Sequence, residues 1–291
     1  MRGGTDVTNP IKVLENPELK RPFMVAGWPG MGGVAIITAN YLKQKLDAQE
    51  LGEIEPYDFF SPAQVSIKDQ MIQTPEFPSS KFFFWDKGDE HDVIIFVGDA
   101  QPDRGYEFCN RVIDVAEEFH VERLYTCAAF SLSIRHSREP KVWAAATKQE
   151  LIEYLRGYDL TLLEEGRIGG LNGLLLGVGK ARGIEGVCLL GEMPAYAIPI
   201  ANPKASRAVL KVLTRMLGVE VDLRELSAWA EQIEPTMEEL YEALPEQAKE
   251  AIDKFEGMLT RMRSEELEAN LELFEEMERF LHEWGDKGEK S

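Results

Sequence analysis

The sequence predicts an α/β protein: a three-layer α/β/α sandwich with a mostly parallel sheet over residues 1–225, followed by an acidic, all-helical extension over 226–291. Three observations predict it. Short apolar runs alternate with segments of helical spacing, the pattern of strands joined by crossover helices. One run, Val93-Ile-Ile-Phe-Val97, is apolar at every position, as a strand covered on both faces must be. Beyond about Leu226 no strand pattern survives, and 19 acidic against 7 basic side chains place −12 of the chain's formal −19 in the extension.

Taken in order, Phe23-Met-Val-Ala26 reads as a buried strand, and Val34 to Leu46 has helical spacing, with Pro29 and several glycines punctuating the junction. Val65-Ser-Ile67, Lys81 to Trp85 and Asp92 to Val97 are strand candidates, followed by a helix over 104–120, a strand at Leu124 to Ala129 and a helix over 147–156. The alternation resumes with strands at Leu160 to Leu163 and Gly186 to Leu190 and helices at 171–181 and 203–217. Asn202 before Pro203 is a sound start for the last of these, an N-cap followed by proline at the first helical position. In the extension, Leu226 to Ala243, Pro245 to Met262 and Ser264 to Trp284 read as helices, with Pro235 and Pro245 marking or bending their starts. Leu267, Leu271, Phe274, Met277, Leu281 and Trp284 form one apolar face whose opposite side is glutamate-rich. That face is expected to pack on the body or on a neighbouring molecule. A membrane-surface helix would carry lysine and arginine instead.

Composition excludes several functions. An acidic chain lacks the basic stripes that bind phosphate backbones, so no nucleic-acid partner is expected. No apolar run reaches the roughly 18 residues of a membrane span, and the first residues do not resemble a secretory signal, so a cytoplasmic protein is expected. Cys109, Cys127 and Cys188 lie far apart in apolar contexts, and His91, His120, His136 and His282 have no ligand spacing. Neither a metal nor a cofactor is expected.

In an open parallel sheet, ligands meet the carboxyl ends of strands, and there the sequence places two glycine-rich turns. The first, Gly27-Trp28-Pro29-Gly30-Met31-Gly32-Gly33, matches neither a dinucleotide fingerprint nor a P-loop. Trp28, Gly30, Gly32 and Gly33 either bind a ligand or partner or serve tight strand-to-helix packing. The second turn, Gly169-Gly170-Leu171-Asn172-Gly173, offers Asn172 as a ligand donor or as a helix cap. Both turns, with Gln101 from the segment Asp99 to Asp103, are expected to line one rim and to contact a ligand or partner.

Asp99 and Glu192, two carboxylates at strand ends, are the weak catalytic candidates. If close, they would form a general acid/base pair; if apart, they serve as caps or solvated residues. Ser131 is not in a nucleophile elbow, and His136 lies too near it in sequence for a hydrolase triad. Ser133, Arg135, His136 and Arg138 form a small basic loop that either attracts an anionic substrate or a partner's carboxylates, or is a solvated connection.

The order of features carries a resemblance. A strand leads into Gly27-Trp28-Pro29-Gly30-Met31-Gly32; then come Ile95-Phe-Val-Gly-Asp-Ala-Gln-Pro102, Gly166-Arg-Ile-Gly-Gly-Leu-Asn-Gly-Leu-Leu175 running to Arg182-Gly-Ile184, and Leu189-Leu-Gly-Glu192. Over roughly residues 10–225 this resembles the archaeal and bacterial branch of the proteasome assembly chaperone 2 family, and the acidic tail resembles the helical extension of many bacterial members. The resemblance implies a body similar to the purine nucleoside phosphorylase and hydrolase-like fold, assembled as a homo-oligomer, commonly a trimer. It implies a protein-binding or assembly role and supplies no catalytic residues. Some archaeal relatives end in a hydrophobic-Tyr-any residue motif that docks into proteasome pockets; this chain ends Gly288-Glu-Lys-Ser291, so docking by that route is not expected. The alternative is a small-molecule binder or enzyme of phosphorylase-like fold that uses Asp99, Asn172 and Glu192 as polar anchors of a strand-end cleft.

Overall fold

The computed structural model describes residues 11–13, 16–86 and 90–261; the helix expected over 264–284 lies outside them. The chain runs β1 (Ile11–Val13), β2 (Phe23–Gly27), α1 (Val34–Lys45), β3 (Gln49–Ile54), a small hairpin of β4 (Ile67–Lys68) and β5 (Met71–Ile72), β6 (Ser80–Trp85) and β7 (Val93–Gly98). It continues with α2 (Gly105–Glu118), β8 (Arg123–Leu132), β9 (Val142–Ala146), α3 (Gln149–Leu155), β10 (Thr161–Leu162), α4 (Gly170–Ala181) and β11 (Glu185–Pro194). Three helices follow: α5 (Pro203–Leu217), α6 (Arg224–Glu242) and α7 (Glu246–Arg261). The nine-stranded sheet has the order β1-β3-β6-β7-β2-β8-β11-β9-β10. Its centre, β7-β2-β8-β11, is parallel, whereas β1, β3 and β6 on one side and β9 on the other pair antiparallel.

The central strands separate two cores, which is why they are apolar throughout. Alternation sends Met24, Ala26, Ile94 and Phe96 to one face, against Phe108 and Val112 of α2 and Leu171 and Leu175 of α4. Phe23, Val25, Val93 and Ile95 go to the other, against Leu42 of α1, Leu151 of α3 and Leu210 of α5. The helix α5 starts as expected: the Asn202 side chain accepts a hydrogen bond from the Ala205 N–H at 2.9 Å, and Gly218 closes it in the left-handed region at φ 64°.

Several expectations are corrected. The strand expected at 65–67 is instead the exposed hairpin β4–β5, off the main sheet. Strands β1, β3 and β9 were not foreseen. Pro235 neither starts nor ends a helix but lies inside α6. The helices after Leu226 dock on the body: Leu226 joins the core under α5, and Phe255 and Leu259 of α7 join the core that holds Trp143 and Leu132.

The three cysteines are buried and free. Burial pushes the Cys109 and Cys188 thiols up to about 12, and raises Cys127 as well. All three are therefore expected to resist an aromatic disulfide reagent at pH 8 in the native protein and to react fully in denaturant. A thiol titrating rapidly under native conditions would contradict this packing.

Candidate functional site

The two glycine-rich turns meet at one rim, the carboxyl end of the parallel strands. Two primary amides join them. Asn172, buried in the first turn of α4, accepts from the Trp28 N–H at 3.1 Å and donates back to the Trp28 carbonyl at 3.3 Å. Gln101, after β7, donates to the Pro29 carbonyl at 2.8 Å and accepts from the Leu171 N–H at 3.2 Å. Both side chains thus hold one connection against another.

Several backbone groups of the first turn are committed as well. The Gly32 N–H donates to Ile198 at 3.0 Å, the Gly33 N–H to Gly30 at 2.9 Å, and the Gly32 carbonyl accepts from Asn202 at 2.7 Å. Gly32 and Gly33 have φ of 59° and 62°, and Gly170 has 68°, so these are turns that glycine makes without strain. A phosphate cradle needs amides aimed at open space; those of Trp28, Gly32 and Gly33 are spent inside the protein. Trp28 itself is fully buried, tilted against Phe96 with ring centroids 4.8 Å apart. Gly30 and Gly169 have no close neighbours on their Cβ side, while Gly173 is pressed against the Ile168 backbone.

Truncating Asn172 to alanine would leave the buried Trp28 N–H and carbonyl without their side-chain partner. The expected loss is about 2–3 kcal/mol, since each unsatisfied group costs roughly 1–3 kcal/mol. Urea unfolding followed by Trp fluorescence checks this. A variant as stable as the parent would show that Asn172 does not hold the turns together.

Asp99 and Glu192 are not brought together. Asp99 directly follows β7 and Glu192 lies on β11, with β2 and β8 between, about 14 Å of sheet at the usual strand spacing. Asp99 is exposed and accepts from the Ser79 N–H at 3.3 Å. Glu192 is fully buried; it accepts from the Trp143 indole at 2.9 Å and from the Lys141 N–H at 3.0 Å, with Arg138 at 3.8 Å. Each has its own structural partners, and Asp99, Asn172 and Glu192 converge on no common point.

The basic loop attracts carboxylates, but those of its own chain. Arg135 pairs with Asp253 of α7 at 2.8 Å and its N–H donates to Glu256 at 2.9 Å. His136 lies between the Tyr196 hydroxyl at 2.7 Å and Glu238 of α6 at 3.0 Å, and burial pushes that hydroxyl's pKa up. The loop is a clasp for the extension. Ser131 and Ser133 are buried, the Ser133 hydroxyl without a hydrogen-bond partner among the described residues.

Two features were missed in sequence. At the amino ends of the strands an open cleft of about 760 Å³ gathers Arg21, Arg123 and Lys148 with Glu122 and Glu185. Its charges neutralise one another, Arg21 with Glu122 at 2.7 Å and Glu185 with both Arg123 and Lys148 at 3.2 and 3.3 Å. At the rim, a shallow groove of about 590 Å³ runs between α2 and α4, lined by Pro102, Ile168, Leu171 and Leu174. Only the Ile168-to-Leu175 apolar spacing hints at it. No group of three or more potential metal ligands clusters among the described residues, and no described helix is long and apolar enough to cross a membrane.

Comparison with known proteins places this arrangement. A model of the PAC2 family matches residues 24–241. Among solved structures, the chain is similar to PbaB of Pyrococcus furiosus, described as an archaeal proteasome activator, at 32% identity over 79% of this chain and 97% of that one, TM-score 0.67. It is also similar to PbaA of the same organism, described as an archaeal homolog of proteasome-assembly chaperone, at 25% identity over 86% and 99%, TM-score 0.62. An uncharacterised protein of Methanocaldococcus jannaschii is 28% identical over 84% of this chain and 92% of its own length.

Proposed function

The chain belongs to the PAC2 family, and from that premise we propose that it is a proteasome-assembly-chaperone-like protein: a cytoplasmic homo-oligomer, a trimer, that binds protein partners and has no catalytic centre of its own. One observation carries the reading. At the strand-end rim Asn172, Gln101 and neighbouring backbone occupy the Trp28, Gly32, Gly33 and Leu171 N–H groups and the Trp28 and Pro29 carbonyls, while apolar side chains such as Met31, Tyr106 and Leu174 are left exposed. Such a surface suits association with protein better than recognition of a small polar substrate. The relatives described as a proteasome activator and a chaperone homolog support proteasome subunits as the partner class. The extension from residue 226 acts in this reading as a separate unit, and its helices α6 and α7 are clasped to the body. No metal or cofactor is invoked.

Co-expression with the proteasome α subunits of the same source tests it. A complex that co-elutes on gel filtration, and faster ring formation in its presence, are expected. Failure to associate, together with a metabolite that co-purifies at the rim and raises the melting temperature, would reverse the conclusion.

A further inference from the structure

Eight of the nine large hydrophobic side chains exposed among the described residues belong to connections and helix starts at the strand-end rim; the ninth, Trp229, is on α6. Half of the eight are on or beside one hairpin. In β4–β5, Ile67, Met71 and Ile72 are 72%, 67% and 74% exposed, with Val65 just before them. The hairpin pairs only with itself, so its apolar side chains have no support from the main sheet. Its parent connection, residues 55–79, starts and ends at the rim: the residue after it, Ser80, pairs with Gly98 at the end of β7. Tyr57 lies in the same connection, Met31 in the first glycine turn, Tyr106 in the first turn of α2, and Leu174 in the groove between α2 and α4.

At roughly 100 Å² apiece the eight side chains expose on the order of 800 Å² in all, about the share of one partner in a standard interface. The face is also complementary to itself. One part is a narrow apolar hairpin; the other is the shallow, open groove lined by Ile168 and Leu174. Asp69 stands at the hairpin tip and Arg167 beside Ile168 at the groove, neither with an ion-pair partner among the described residues. Two different elements on one chain that fit each other are what a head-to-tail contact requires, and such contacts form a ring when the rotation between copies closes.

We propose that a second copy of this chain is the occupant of the rim, with the β4–β5 hairpin of one copy seated in the α2–α4 groove of the next. This rests on the homo-oligomer reading above and assigns its contact surface. The Asp69 carboxylate then faces the Arg167 guanidinium across the joint, and the burial of Ile67, Met71 and Ile72 supplies the association.

The test uses the full chain and light scattering coupled to gel filtration. The parent is expected to elute as a multi-copy assembly. A hairpin variant, Ile67→Asp with Ile72→Asp, and a groove variant, Leu174→Asp, are each expected to elute as single copies with unchanged far-UV circular dichroism, because the altered positions are exposed. Mixed in equal amounts, the two variants should form a two-chain species, since one intact hairpin then meets one intact groove. In a separate chain carrying both Met71→Cys and Leu174→Cys, oxidation should link one chain to another; the native thiols, being buried, contribute no links. Variants that keep the parent's mass would overturn the assignment of this face while leaving self-assembly standing. A parent that is a single copy at every concentration would remove self-assembly and this contact together, without touching the binding of α subunits. Single-copy variants that do not combine on mixing would rule out the hairpin-to-groove pairing.

Discussion

Glu192→Ala is expected to destabilise the protein by about 3–5 kcal/mol, the cost of breaking a buried charged network by removing one partner. The carboxylate is fully buried and accepts from both the Trp143 indole and the Lys141 N–H, with Arg138 beside it. Without it, a buried indole donor and a backbone donor lose their acceptor at once, and the Arg138 guanidinium loses the carboxylate 3.8 Å away. Glu192→Gln retains an oxygen for one donor and is expected to cost less, about 1–2 kcal/mol. Guanidinium unfolding monitored by Trp fluorescence gives both values. A catalytic role predicts the reverse: an alanine variant folded as stably as the parent but without function. That result would return Glu192 to the candidates for chemistry.

The second large effect is expected at Gly173. A Cβ there would collide with the backbone carbonyl of Ile168, which cannot rotate away as a side-chain tip can. Gly173→Ala must push the start of α4 off the preceding loop and strain the Asn172 and Gln101 bonds that pass through it, at an expected cost of about 3 kcal/mol or more, the upper range for a single substitution. Gly169 is the control in the same turn. Its φ is −77° and nothing lies within 4 Å of its Cβ position, so Gly169→Ala should be neutral or stabilise by about 0.4–1 kcal/mol through the unfolded chain. Equal melting temperatures for the two variants would show that this turn does not depend on the close approach.

Elements whose sequence pattern matched their burial were legible. Val93 to Gly98 is buried on both faces and is apolar throughout; α5 announces itself with Asn202, Pro203 and a terminal Gly218. Strand β3 was not, because Gln49-Glu-Leu-Gly-Glu-Ile54 lies near the sheet edge, carries a bulge, and pairs Glu50 with Lys81 at 2.9 Å across to β6. Its polar residues are satisfied by a neighbour 31 positions away. Strand β9, Val-Trp-Ala-Ala-Ala, has alanines that favour helix, and becomes a strand because β11 and β10 hydrogen-bond to either side of it. The exposed apolar run near Val65 gave a strand signal with no sheet to join. At the site, the meeting of the two glycine turns on one rim was foreseen from the rule for parallel strands. The pairing of Asp99 with Glu192 was not realised, since strand order decides which ends are neighbours.

By itself the sequence determined the alternation of strands and helices, the two-faced burial of the central strands, the helix caps and the position of both glycine turns. Each of these depends on forces acting within a few residues: side-chain period, proline and glycine backbone preference, and capping. Only the tertiary structure decided the antiparallel flanks, the isolation of Glu192 from Asp99, the use of Asn172 and Gln101 as staples, and the retention of the extension by Arg135 and His136. The contacts of Glu192, Asn172, Gln101, Arg135 and His136 join partners 49 to 144 residues apart in the chain, and those encounters, like the strand flanks, are settled by the order of the strands and the packing of the helices across them.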